Sequence, residues 1–320
     1  MNLQKENGAM RICSLLPSAT EILYALGLSD SVVGVTHECD FPPEAATKPA
    51  LIRPRVDPKA APAEIDRQVS ELVARGESIY AVDAELLAKL EPDLIVTQDL
   101  CHVCAASPDD LATALTRLPR MPRVLSLTPH GLAGVWGDIR RVGEATDRRQ
   151  RGEELAASLE GEVAAIAAKA AQGQARPRVL CLEWLAPYYV AGHWVPEMVA
   201  LAGGEDIFGR VGEPSFRVTT EQVAESRADI VVVMPCGYGV ERAAEEFCAV
   251  RRAPEWRGLP AVSEGRVFAL DANGYFSRPG PRLAQGVEML ARIFHPGLFA
   301  NSANDKRVVR VECSAVRATP

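Results

Sequence analysis

Two cysteines three residues apart, Cys101 and Cys104 in TQDLCHVCAAS (97–107), bracket His102 directly after the apolar run DLIVTQ. His37 and Cys39 stand one residue apart in VTHECDFP. Thiolates and neutral imidazoles are the donors of zinc sites, and thiolates those of iron–sulfur clusters. His37, Cys39, Cys101 and Cys104 therefore make a candidate donor set, on which a metal-dependent or thiol enzyme could be built. A second C-x-x-C would make that reading strong, and H-x-C is the weaker half. A thioredoxin-like exchange pair would need a helix beginning at the first cysteine, and no helical pattern starts at Cys101. Haem attachment through C-x-x-C-H is excluded, because Ala105 follows Cys104. The remaining reading is that the cysteines pack as small apolar residues. No nucleophile with a neighbouring base, no P-loop and no G-x-G-x-x-G stands out, which favours a binding protein over an enzyme.

These residues have to be positioned by something, and the chain supplies a regular scaffold. Apolar runs of strand type, RICSLL (11–16), SVVGVT (31–36), DLIVTQ (93–98), RVLSL (123–127), RVLCLE (178–183), DIVVVMP (229–235) and RVFAL (266–270), alternate with helical patterns. That alternation predicts an α/β fold, two doubly wound lobes with mainly parallel sheets. In such sheets ligands bind beyond the carboxyl ends of the strands. The loops at those ends are chemically crowded. His37, Glu38, Cys39 and Asp40 follow one strand, and Gln98 and Asp99 close another. Trp184, Tyr188, Tyr189, His193 and Trp194 follow a third, Cys236 and Tyr238 a fourth, and Tyr275 and Arg278 a fifth. Ser18 with Glu21 reads as a capping box opening the first helix, and Gly27 as its end.

Between Leu132 and Gln172 the chain has no proline and spaces its apolar residues near a helical period, so one long helix bridging the lobes is expected, with Gly143 and Gly152 as points where it could break in two. The expected division is an N-terminal lobe over 1–130, the linking helix over 131–172, a C-terminal lobe over 173–296 and a tail over 297–320. ELLAKLEPDLIVTQDLC from Glu85 and EQVAESRADIVVVMPCG from Glu221 form a weak internal repeat: helix, tight turn, buried strand, loop. Asp83 and Thr219 read as N-caps, which would put Glu85 and Glu221 in first helical turns.

With 320 residues, 48% hydrophobic and 24% charged, the chain has enough globular sequence for two domains. A net charge of -7 with dispersed basic residues argues against nucleic acid as a partner. No apolar run reaches the ~20 residues of a membrane span. The first residues lack a signal peptide's apolar core, and the eight cysteines lack disulfide-framework spacing. Both predict a cytoplasmic protein, or a periplasmic one if a leader has been removed, and a monomer is expected.

RICSLLPSATEILYALG, VVGVTHECDFP, EPDLIVTQDLCHVCA, WGDIRRVGEATD and YFSRPGPRLAQGVEML together resemble the cobalamin-binding members of the iron-siderophore and cobalamin substrate-binding protein family, over roughly residues 10 to 295. The resemblance implies two α/β lobes bridged by a long helix, and a corrinoid or other metal chelate as ligand, held in the cleft between the lobes. It also implies delivery to the permease of an ABC importer. No cofactor is then required, although zinc or an iron–sulfur cluster on the cysteines stays open. The implied ligand-binding residues are His37, Glu38, Asp40, Gln98, Trp184, Tyr188, His193, Trp194, Tyr238, Tyr275 and Arg278. The aromatic side chains among them suit a large flat ring, and the imidazoles suit cobalt or the ring's amide groups. Glu85 and Glu221 resemble the family's exposed glutamates, one per lobe, that dock on the importer.

Overall fold

The computed structural model describes residues 10–98, 108–299 and 305–312. The chain separates into two compact units, residues 1–129 with 133–158, and residues 130–132 with 159–320. In the first, β1 (Ile12–Ser14), β2 (Val32–Thr36), β3 (Ala50–Pro54), β4 (Tyr80–Val82), β5 (Leu94–Gln98) and β6 (Arg123–Leu127) form one sheet in the order β4-β3-β2-β1-β5-β6. Every neighbouring pair is parallel except β3 with β4. The connections carry α1 (Pro17–Ala25), α2 (Pro62–Ala74), α3 (Ala84–Leu90) and α4 (Pro108–Leu115), followed by α5 (Leu132–Ala145) and α6 (Arg149–Ala170). The division between the units falls inside α6, after Ser158.

In the second unit, β7 (Arg178–Leu185), β8 (Tyr188–Val190), β9 (Glu205–Asp206), β10 (Phe216–Arg217), β11 (Ile230–Val233), β12 (Val267–Leu270) and β13 (Val308–Arg310) form a sheet ordered β10-β8-β7-β11-β12-β13, with β9 beside β7. Its centre, β7-β11-β12, is parallel, β8 and β13 pair antiparallel with its two edges, and β10 pairs antiparallel with β8. Helices α7 (Val195–Leu201), α8 (Thr220–Glu225), α9 (Val240–Val250), α10 (Pro260–Ser263), α11 (Ala272–Tyr275) and α12 (Leu283–Phe294) complete it. All four residues of β11, IVVV, are buried. Such unbroken apolar runs belong to strands covered on both faces, and each side chain taken fully from water contributes about 1.5–3 kcal/mol. The fold is thus two α/β lobes with parallel-centred sheets.

The internal repeat extends to individual hydrogen bonds. α3 leads to β5 and α8 leads to β11, each through a turn with one non-glycine residue at positive φ, Glu91 (40°) and Arg227 (50°). Two residues later, Asp93 accepts the Arg11 N–H at 3.0 Å and donates its own N–H to the Arg11 carbonyl. Asp229 does the same with Arg178, at 2.8 Å to the carboxylate. Each aspartate ties the start of a central strand, β5 or β11, to the residue that opens or precedes its parallel neighbour.

Three expectations are corrected. Ser18 is not an N-cap: Pro17, with fixed φ and no N–H to satisfy, takes the first helical position, Leu16 becomes the cap, and Ser18 Oγ is buried without a hydrogen-bond partner. Gly27 at φ 76° does follow the helix end. The stretch 131–172 takes the two-piece form and is not one rod, and α6 runs about 33 Å. The break lies where Asp147 turns left-handed (φ 57°), and there Gly143 and Gly152 bring the two helix backbones into contact. The segment 297–320 is not merely a tail, because β13 pairs with β12.

Candidate functional site

The loop after β2 is a built structure. Cys39 is buried, and its sulfur lies 3.0 Å from Thr20 Oγ1 and 3.2 Å from Thr36 Oγ1. Thr20 Oγ1 in turn donates to Ser14 Oγ at 2.8 Å, and Thr36 Oγ1 accepts the Glu38 N–H at 3.2 Å. This network lies at the carboxyl ends of β1 and β2 and anchors the loop from beneath. Above it His37, Asp40 and Phe41 are exposed and Glu38 is half-buried. His37 Nδ1 is 3.0 Å from the Ile52 carbonyl oxygen on β3, and its ring lies 5.8 Å from that of Tyr80 on β4. Because a carbonyl only accepts, Nδ1–H is the donor of this bond, and in the neutral tautomer that it favours the lone pair is on Nε2. Gln98 is buried at the end of β5.

Cys39 is therefore an anchor of the loop and does not reach outward with His37 as a metal donor. Among the described residues no group of three or more His, Cys, Asp or Glu side chains is placed to hold a metal ion. Cys101, His102 and Cys104, like Asp99, lie outside the described residues. Cys13 and Cys181 are buried, and burial pushes the Cys13 thiol up to about 12 and that of Cys181 well above the ordinary range, so neither is a thiolate.

In the second lobe the aromatic residues divide into two groups. Tyr188 belongs to the core: it is buried, donates its hydroxyl to Glu255 at 2.7 Å and accepts the indole N–H of Trp256. Burial, then Glu255, pushes its pKa far above the ordinary phenol value. Trp194 is buried, with its indole N–H on the Phe276 carbonyl at 2.6 Å. Tyr238 is buried between Trp184 (5.4 Å) and the Arg242 guanidinium (3.7 Å to the ring centre). These three hold the lobe together and do not form an open aromatic wall, which corrects that expectation. Trp184 and Tyr275 are half-exposed, Tyr275 with Arg282 and Arg307 each about 5 Å from its ring. Exposed Cys236 lies 3.3 Å from Ser277 Oγ, and Arg278 is nearly buried. His193 is in a left-handed conformation (φ 55°), stacks on Trp194 and is kept below the ordinary histidine pKa by burial and then by His130.

Asp83 and Thr219 do cap α3 and α8, and Glu85 and Glu221 are exposed in those first turns. The Glu221 carboxyl is lowered by backbone and threonine hydrogen bonds. Phe41, exposed in the same loop, belongs to the HECDFP motif but is not among the ligand-binding residues expected from the sequence. The Ile52 carbonyl left no signal at all, since any residue supplies one.

A family model described as periplasmic binding protein matches residues 12–273. The chain belongs to that family. Its members are binding proteins and not enzymes. A vitamin B12-binding protein of Vibrio cholerae (El Tor Inaba N16961) is 26% identical over 293 residues, 90% of each chain. An uncharacterised ABC transporter substrate-binding lipoprotein of Bacillus subtilis 168 is 27% identical over 301 residues, 90% of this chain and 81% of that protein. Among solved structures, the periplasmic haem-binding protein RhuT of Roseiflexus sp. RS-1 matches with a TM-score of 0.70 and 27% identity over 91% of this chain and 100% of the other. The cytoplasmic expectation is overturned by these periplasmic and lipoprotein relatives. Cys248, which is disulfide-bonded, agrees with an oxidising compartment. Zinc and iron–sulfur readings of the cysteines find no support in this family.

Proposed function

We propose that this periplasmic binding protein captures cobalamin or a related corrinoid for an ABC importer. The observation that carries the reading is the loop His37–Phe41, in which a buried threonine–cysteine network holds an imidazole, two carboxylates and a phenyl ring at the carboxyl end of β2. Such a surface offers a metal donor, hydrogen-bond acceptors for amide groups and a flat apolar contact, the three features a corrin ring presents in complement. In the second lobe, half-exposed Trp184 and Tyr275 are the aromatic residues left for a ligand. The vitamin B12-binding relative supports a corrinoid, and the haem-binding neighbour makes a porphyrin the competing ligand. Titration with cyanocobalamin, cobinamide and haemin, followed in the visible spectrum and by Trp fluorescence, tests this. Saturable corrinoid binding in the micromolar range or tighter, with haemin weaker, is expected. Failure of both corrinoids to bind at high micromolar concentration would sink the proposal.

A further inference from the structure

His37 is presented more rigidly than a loop residue that only lines a surface. The β2–β3 register pairs Thr36 with Ile52, which sets the next residue, His37, beside the Ile52 carbonyl that receives its Nδ1–H at 3.0 Å. The turn that follows is closed by the Glu38 N–H on Thr36 Oγ1 and by Cys39 on both threonines. An imidazole whose far nitrogen donates to a backbone carbonyl has its tautomer, its ring plane and the basicity of its other nitrogen set in advance, as metal-ligating histidines characteristically do. Nε2 lies 3.9 Å from Glu38 Oε1, beyond hydrogen-bond distance, so its lone pair is not committed there. Yet no three-ligand cluster of the described residues surrounds it. A bare ion would need such a cluster. A macrocycle brings four donors of its own and leaves only its two axial positions to fill, so one imidazole is enough.

We infer that His37 Nε2 ligates the metal of the bound macrocycle, so that the chain selects corrinoids whose axial ligand can be exchanged. This rests on the corrinoid reading above. In the step concerned, the Nε2 lone pair forms a cobalt–nitrogen bond as a cobalt-bound water leaves. The metal keeps its oxidation state, and no proton is transferred. A corrinoid with both axial positions closed by cyanide has no place for the imidazole, and is left with contacts to the ring periphery.

Diaquacobinamide and dicyanocobinamide, titrated separately into the full-length protein and followed in the visible spectrum, test the inference. Diaquacobinamide should bind at least about tenfold more tightly, with a band shift marking water replaced by nitrogen, and His37→Ala should bind it about 10- to 100-fold more weakly without the shift. His37→Gln should behave like the alanine variant, and an unchanged thermal melt would show that both variants are folded. Equal affinity for the two corrinoids, or a band shift that persists in both variants, overturns the assignment of His37 while leaving the corrinoid reading intact. No binding of either corrinoid by the wild-type protein overturns both.

Discussion

Asp206, on β9, has one carboxylate oxygen satisfied by the N–H groups of Phe208 and Gly209, at 3.1 and 2.7 Å, and a second that is buried without a partner. Burial raises its pKa to about 6, against the opposing pull of those two N–H groups. In the unfolded chain an aspartate titrates near 3.9, so between about pH 4 and 6 the folded protein keeps a proton that the unfolded chain has lost. The contribution to stability is therefore full below about pH 4 and is lost as pH rises through 6, by about 3 kcal/mol in order of magnitude. Asp206→Asn removes the titration. From urea unfolding at pH 4 and pH 7, the stability difference between variant and wild type should move in the variant's favour by up to about 3 kcal/mol, and a difference independent of pH would refute this account. Nothing in the local sequence GGEDIFG announces such a group, because Asp206 is set beside Val179 and Cys181 of β7, residues distant along the chain. Cys39 makes the same point in reverse: the sequence shows a thiol beside a histidine, and only the approach of Thr20 turns it into an anchor.

At the level of elements, the α5–α6 corner depends on two glycines. A Cβ on Gly143 would lie 3.0 Å from the Arg148 carbonyl oxygen and 3.1 Å from the Gly152 Cα, all backbone atoms that cannot rotate away. Alanine is favoured over glycine in a helix by up to about 1 kcal/mol, whereas overpacking costs about 1–3 kcal/mol. Gly143→Ala should therefore be destabilising by about 1–2 kcal/mol. Gly161, in the same α6 helix, has open space where its Cβ would stand, and Gly161→Ala should stabilise by about 0.5–1 kcal/mol. Thermal unfolding of the two variants separates packing from propensity, and equal shifts would show that the corner is not tightly closed. Gly143 and Gly152 were visible in the sequence as points where a long helix could break. That Gly143 touches Gly152 while Gly161 touches nothing was not, since all three are simply glycines within a helical pattern.

For the whole molecule, each unit carries an exposed glutamate in a capped first turn, Glu85 on α3 and Glu221 on α8. Our proposal for these residues is contact with the importer's membrane subunits, where surface carboxylates would meet basic groups and govern the encounter more than the final affinity. Glu85→Lys combined with Glu221→Lys should leave corrinoid titrations unchanged and depress ligand-stimulated ATPase activity of the reconstituted importer, more so at low salt. Unaltered stimulation would leave the two glutamates with helix-end electrostatics alone. Compartment is also a whole-molecule property. The spacing of eight cysteines suggested a reducing environment, but Cys248 is disulfide-bonded while Cys13, Cys39, Cys181 and Cys236 stay thiols, a pairing that depends on proximity in space and not on spacing along the chain.

The sequence by itself determined the α/β class, the parallel centres of both sheets, the repeat that sets Asp93 and Asp229 in matching roles, and the polar and aromatic residues of the loops at the strands' carboxyl ends. Those features are written in local patterns: an apolar run long enough to be covered on both faces, a capping residue, a turn before an aspartate. The tertiary structure decided which members of each crowded loop are exposed. Tyr188, Trp194 and Tyr238 read like ligand-stacking aromatics, yet Trp256, the Phe276 carbonyl and Arg242 claim them for the interior. His37 reads as one histidine among five, yet the Ile52 carbonyl on the adjacent strand selects its tautomer. Exposure and tautomer depend on neighbours that the chain brings together only when it folds, so no window of sequence contains them.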